Sequence, residues 1–93
     1  KNEIKDINNL NLSLSVNDET RQNGNTSHMI FNFNYLISHI SQFMTLYPGT
    51  IITTGTPAGT AMEMEKPKFL KEGDKINIKI DCLGEQIHKV INE

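Results

Sequence analysis

The sequence predicts a mainly β segment with one helix. Three observations carry this reading: apolar and polar residues alternate over residues 10–16 and again over 76–80; apolar residues recur at helical spacing over 36–47; and turn-forming pairs stand between these stretches. A period of two puts alternate side chains on one face of a strand, and a period near 3.6 puts them on one side of a helix.

Leu10, Leu12, Leu14 and Val16 alternate with Asn11, Ser13 and Ser15, so one face of the first strand is expected to meet a core and the other water. Asn17 and Asp18 tolerate left-handed backbone, which makes them hairpin turn residues, and residues 19–22 are expected to return as the second arm before Gly24. Leu36, Ile37, Ile40, Phe43, Met44 and Tyr47 then fall at helical spacing. Asn32 or Asn34 is expected to cap this helix by accepting a bond from an unpaired N–H, and Pro48-Gly49 to end it. Its aromatic and methionine residues read as core. Residues 50–54, TIITT, are β-branched throughout and predict a short, largely buried strand. Residues 61–71 have no clear period and contain Pro67. Gly73-Asp74 opens another alternating run with Ile76, Ile78 and Ile80 on one face. Leu83-Gly84 reads as a turn and 87–91 as a last strand of unassigned facing.

The 93 residues make one small domain or part of a larger one, and a unit of this size buries about two-thirds of the surface its unfolded chain exposes. Residue 1 is Lys rather than Met, which fits a chain beginning inside a longer reading frame. The formal net charge of −2 offers no basic footprint for nucleic acid. Cys82 is the only cysteine, so an internal disulfide and a cysteine-based zinc site are excluded, and a reducing compartment, the cytoplasm, is expected. No apolar run approaches the roughly 20 residues of a membrane span, so no membrane partner is expected.

The stretch "IITTGTPAGT" at 51–60 has no charged residue. Gly55 and Gly59 remove the Cβ atoms that keep a ligand off the backbone, and both can adopt positive φ so that successive N–H groups face one concavity. Thr56 adds a hydroxyl, Pro57 stiffens the loop and Ala58 keeps its surface low. A carboxylate or keto acid fits such a bend without a formal positive charge. Taken alone, a Gly-Thr turn more often merely connects strands. No lysine follows Gly59, which excludes a phosphate-cradling Walker loop.

Four blocks in order, "RQNGNTSHMIF" at 21–31, "SQFMTLYPG" at 41–49, "TGTPAG" at 54–59 and "KPKFLKEGD" at 66–74, resemble the C-terminal half of the fumarylacetoacetate hydrolase family. Residues 2–4, "NEI", are similar to the tail of its Asp-Glu-Ile segment. The resemblance covers nearly the whole chain. It implies a mixed β-sandwich roll, usually a homodimer, in a hydrolase, isomerase or decarboxylase that acts on β-diketo or 2-oxo acids with Mg²⁺ or Mn²⁺. Such a cation, chelated by adjacent ketone and carboxylate oxygens, stabilises an enolate as a Lewis acid. By the same resemblance Thr56, with Gly55 beside it, is a substrate-binding position.

The family's metal ligands, a Glu-x-Glu pair and an Asp, together with its His/Glu dyad and catalytic Lys, lie upstream of the matching region, so no catalytic or metal residue is assigned to this chain. Residues 1–93 are then the C-terminal portion of a catalytic domain, inactive alone, and its partners are the oxo-acid substrate and the missing N-terminal part or a second copy. Glu63-Met64-Glu65 imitates a metal pair but stands in the wrong block and reads as solvated loop carboxylates. His28, where the family has Asp, reads as structural; His39 and His88 read as surface or satisfied. Ser27 and Ser41 have no visible triad. Thr50, Thr60 and Lys66 also depart from the family pattern. The alternative is a non-catalytic β module that binds anions or a protein partner.

Overall fold

The structure, a computed structural model, describes residues 3–93. Asn2, the first residue of the "NEI" comparison, lies outside them. Strand β1 (Asn11–Val16) and β2 (Glu19–Asn25) form a hairpin, helix α1 is Phe33–Ser41, and β3 (Lys75–Ile80) and β4 (Gly84–Lys89) form a second hairpin; 3₁₀ turns occupy Thr26–His28 and Ala61–Glu63. The four strands make one antiparallel sheet in the order β2-β1-β3-β4. This is the mainly β, one-helix architecture expected. No helix among the described residues is long and apolar enough to cross a membrane.

The first hairpin turns on Asn17 and Asp18, whose φ angles of 51° and 66° are the left-handed pair that a two-residue hairpin requires. Its second arm runs through Gly24 to Asn25, longer than expected. Register explains the sheet's two characters. Leu12 faces Ile80, Leu14 faces Ile78 and Val16 faces Ile76, so the alternating apolar residues of β1 and β3 share one face, while Ser13 faces Lys79 and Ser15 faces Asn77 on the other. Ile87 pairs with Asn77 on that polar face and is exposed, and β4 ends two residues earlier than the expected last strand.

The pairing shifts between Leu14 and Ser15: Leu14 faces Gln22, Ser15 faces Thr20, and Arg21 is the extra residue of a bulge. Arg21 and Gln22, neighbours in sequence, both reach the long segment that follows α1. Arg21 Nη1 donates to the Lys68 carbonyl at 3.1 Å and lies 3.5 Å from Met64 Sδ. Its Nε is 3.4 Å from Glu19 Oε1, an ion pair without hydrogen-bond geometry.

Asp74 is buried and fully engaged. Its carboxylate accepts from Asn17 Nδ2 at 2.9 Å and from the Lys71 N–H at 3.0 Å, and its carbonyl accepts from the Val90 N–H. One residue thus joins the hairpin turn, the long loop and the end of β4. Those hydrogen bonds, the Lys71 N–H first and the Asn17 amide second, hold its carboxyl below the usual carboxylate range.

Three expectations are corrected. The helix is capped by Asn32, which accepts from the Tyr35 N–H at 2.8 Å, but it ends at Ser41, well before Pro48. Its aromatic stripe is not core: Phe43 is 78%, Tyr47 70% and Met44 61% exposed, and Phe31, Tyr35, His39 and Phe43 stack on one another along the outside. The half-buried side carries Phe33, Leu36 and Ile40. Helical spacing defines a stripe, but a stripe becomes core only where another surface covers it. Residues 50–54 are not a strand: they pair with none of the four described strands, and Ile51 is 90% exposed. Among the described residues the buried apolar side chains are Leu10 and Val16, so the core is thin.

Gly59 has φ +108°, and a Cβ there would collide with the Arg21 carbonyl oxygen; Gly55 has φ +88° with open space around it. Gly55→Ala is expected to cost about 1–2 kcal/mol from left-handed backbone alone. Gly59→Ala is expected to cost about 3 kcal/mol or more, since strain and collision add. Urea denaturation of protein containing this segment checks the order, and equal losses would show that the approach to Arg21 is not restrictive.

Candidate substrate loop

The Gly-Thr loop lies against β2. Gln22 stands on the apolar face beside Leu14 and donates through Nε2 to the Pro57 carbonyl at 2.7 Å and to Thr56 Oγ1 at 2.8 Å. Pro57 packs on Gly24, where a Cβ would stand 3.2 Å from Pro57 Cβ. Beside the loop is an open, largely apolar hollow of about 960 Å³, and Thr54, Gly55, Thr56, Pro57 and Ala58 line it together with Leu12 and Ile80 of the sheet and Phe33 and Leu36 of the helix.

The backbone donors of the loop fall into two groups. The N–H groups of Gly59 and Thr60 both donate to Glu63 Oε2, at 2.7 and 2.9 Å. The N–H groups of Gly55, Thr56 and Ala58 donate to no other protein group among the described residues. The expectation that the two glycines would serve one concavity is therefore corrected in part: the Gly59 side is closed by an internal carboxylate. Glu63 is corrected with it, since it is exposed yet bound to the loop rather than merely solvated.

No group of three or more His, Cys, Asp or Glu among the described residues could hold a metal ion. With Glu63 engaged as above, residues 63 and 65 do not act as a ligand pair. The described residues do not make a site that fits Mg²⁺ or Mn²⁺. His39 sits in the outer aromatic stack and His88 Nε2 is 3.2 Å from Gln86 Oε1, both exposed. His28 is exposed at the rim of the hollow, without a carboxylate partner among the described residues. Ser41 donates to the Ser38 carbonyl and forms no triad.

Arg21 and Gln22 carry no signal in the sequence reading, and Glu63 enters it only as a solvated carboxylate. Arg21 and Gln22 open the first of the four blocks, but their reach to residues 56–68 depends on a bulge that periodicity does not reveal. Glu63 carried a signal, since Thr60-x-x-Glu63 is the spacing of a capping box.

Residues 1–91 match the family model described as "Fumarylacetoacetate (FAA) hydrolase C-terminal". The chain belongs to the fumarylacetoacetate hydrolase family. An oxaloacetate tautomerase of Rattus norvegicus, named as mitochondrial, is 47% identical over 91 residues, 98% of this chain and 29% of its own length. Maleylpyruvate hydrolase from Sphingobium sp. SYK-6, solved with manganese(II) and pyruvate, superposes with a TM-score of 0.83 at 37% identity, over 97% of this chain and 31% of that one. The 2-hydroxyhepta-2,4-diene-1,7-dioate isomerase of Mycobacterium marinum gives a TM-score of 0.76 at 35% identity, over 92% of this chain and 31% of that one. The chain spans about three-tenths of the length of the curated relatives it matches.

The Glu63 clasp makes a pH prediction. The backbone N–H groups of Thr60 and then Gly59 lower the Glu63 carboxyl below its ordinary 4.5. A lowered folded-state value means that the clasp stabilises the loop above 4.5 and is lost as pH falls through the lowered value. The Gly59 and Thr60 amide proton shifts should therefore titrate together below pH 4.5, and Glu63→Gln should abolish that titration. A titration that survives Glu63→Gln would assign it to another carboxylate.

Proposed function

We propose that this chain is the C-terminal portion of a fumarylacetoacetate hydrolase-like catalytic domain. The whole enzyme depends on a divalent cation and acts by hydrolysis, isomerisation or decarboxylation on β-diketo or 2-oxo acids of the acylpyruvate kind. Thr56 and Gly55 receive the substrate carboxylate. The observation that carries this reading is a loop whose residues 54–58 line a largely apolar hollow and whose Gly55, Thr56 and Ala58 N–H groups have no protein acceptor among the described residues. Carboxylate oxygens accept those donors, and the apolar wall suits the carbon chain and limits the water around it. The pyruvate and manganese(II) of the Sphingobium enzyme, and the oxaloacetate in the rat relative's name, support the substrate class and the cation.

Mg²⁺ or Mn²⁺ would be held by residues outside this segment, and when bound would supply Lewis acidity to the oxo oxygens. The task of this chain is binding and orientation; residues 1–93 alone are inactive. The reducing cytoplasm remains the proposed compartment, to be tested against the mitochondrial placement in the rat relative's name.

A second reading, a protein-binding module or dimer surface, is favoured by the exposed ladder of Phe31, Tyr35, His39 and Phe43. The two readings separate in one assay of the protein joined to its upstream sequence. Acylpyruvate cleavage and oxaloacetate turnover should disappear with EDTA and return with Mg²⁺ or Mn²⁺. Thr56→Val should lower kcat/KM by about 10- to 100-fold, the effect of one hydrogen bond to a charged group. Turnover that survives chelation, or is indifferent to Thr56→Val, would reject the enzymatic role of the loop.

A further inference from the structure

We propose that Gln22 is a positioning residue for the substrate carboxylate, because it commits the Thr56 hydroxyl to donating. This rests on the reading that Thr56 meets that carboxylate. The Pro57 carbonyl can only accept, so the atom 2.7 Å from it must be the amide nitrogen of Gln22, which fixes the orientation of the amide group. The same nitrogen lies 2.8 Å from Thr56 Oγ1. With one hydrogen on Pro57, its other hydrogen points to Thr56, and the threonine oxygen is the acceptor. A hydroxyl that accepts from an N–H turns its own proton elsewhere. Among the described residues that proton has no acceptor.

Thr56 therefore offers the hollow a donor. A carboxylate or oxo oxygen satisfies it, whereas an amide N–H or hydroxyl proton placed there would face a donor. A neutral glutamine thus gives the loop a preference for acceptor groups with no lysine or arginine in it, and the preference depends on which way one amide is turned. The bulge at Arg21 makes the arrangement possible, since it brings Gln22 onto the apolar face beside Leu14 while Arg21 holds residues 64 and 68 of the same segment.

The test uses the metal-loaded full-length protein, with pyruvate as a competitive inhibitor and pyruvamide as its donor-bearing analogue. Gln22→Met should weaken pyruvate about tenfold, as should Thr56→Val, and the double variant should be no weaker than Thr56→Val alone, because Gln22 acts through the hydroxyl. Gln22→Glu, which accepts the threonine proton, should lower the ratio of pyruvate to pyruvamide affinity. That ratio does not depend on how much of the variant folds.

A second tenfold loss when Gln22→Met is added to Thr56→Val would overturn the proposal by showing that Gln22 serves only to hold the loop at Pro57. An unchanged affinity ratio in Gln22→Glu would overturn it as well. Weakened binding in Thr56→Val with normal binding in the Gln22 variants overturns the Gln22 assignment alone. Normal binding in Thr56→Val overturns the reading of the loop itself.

Discussion

One extra residue in β2 governs how the rest of this segment is arranged. In a regular strand, successive side chains leave on opposite faces, so Arg21 and Gln22 could not both address the segment after the helix. The bulge at Arg21 removes that restriction. Gln22 then holds residues 56 and 57, Arg21 holds residues 64 and 68, and the Gly59 backbone comes close enough to the Arg21 carbonyl that no side chain fits between them. Blocks of sequence separated by the whole of α1 become one surface.

The loop combines rigidity and availability by dividing its donors. One end is satisfied internally, with Glu63 closing over the Gly59 and Thr60 amides. At the other end the Gly55, Thr56 and Ala58 amides have no protein acceptor among the described residues, and these residues line the hollow. An exposed loop whose backbone donors were all free would be hydrated and mobile, and one whose donors were all paired would have nothing left for a ligand. A carboxylate four residues downstream resolves this without a cation, which also explains why Glu63 imitates half of a metal site in sequence.

Much of the sheet was legible from sequence, because alternation in 10–16 and 76–80 reports burial directly and Asn17-Asp18 states its own backbone conformation. The helix start was legible for a similar reason, since Asn32 caps by a local bond. What failed was non-local. The stripe of Phe43, Met44 and Tyr47 has helical spacing but no cover, and the β-branched run at 50–54 has strand propensity but no strand partner among the described residues. Propensity describes what a segment would do if a neighbour were present. The loop residues Gly55 and Thr56 stood out by composition, whereas Gln22 did not, because its importance lies in a register shift.

The strand order β2-β1-β3-β4 has a consequence for how the chain is made. The first hairpin closes through a two-residue turn and can form while the ribosome is still adding the helix, yet β1 finds β3 only after the entire intervening segment has emerged. Non-local closure of this kind is slow compared with the hairpin itself. For that interval the backbone N–H and C=O groups on the β3 side of β1 are without their ladder partners. Translation rate and chaperone occupancy should thus influence yield.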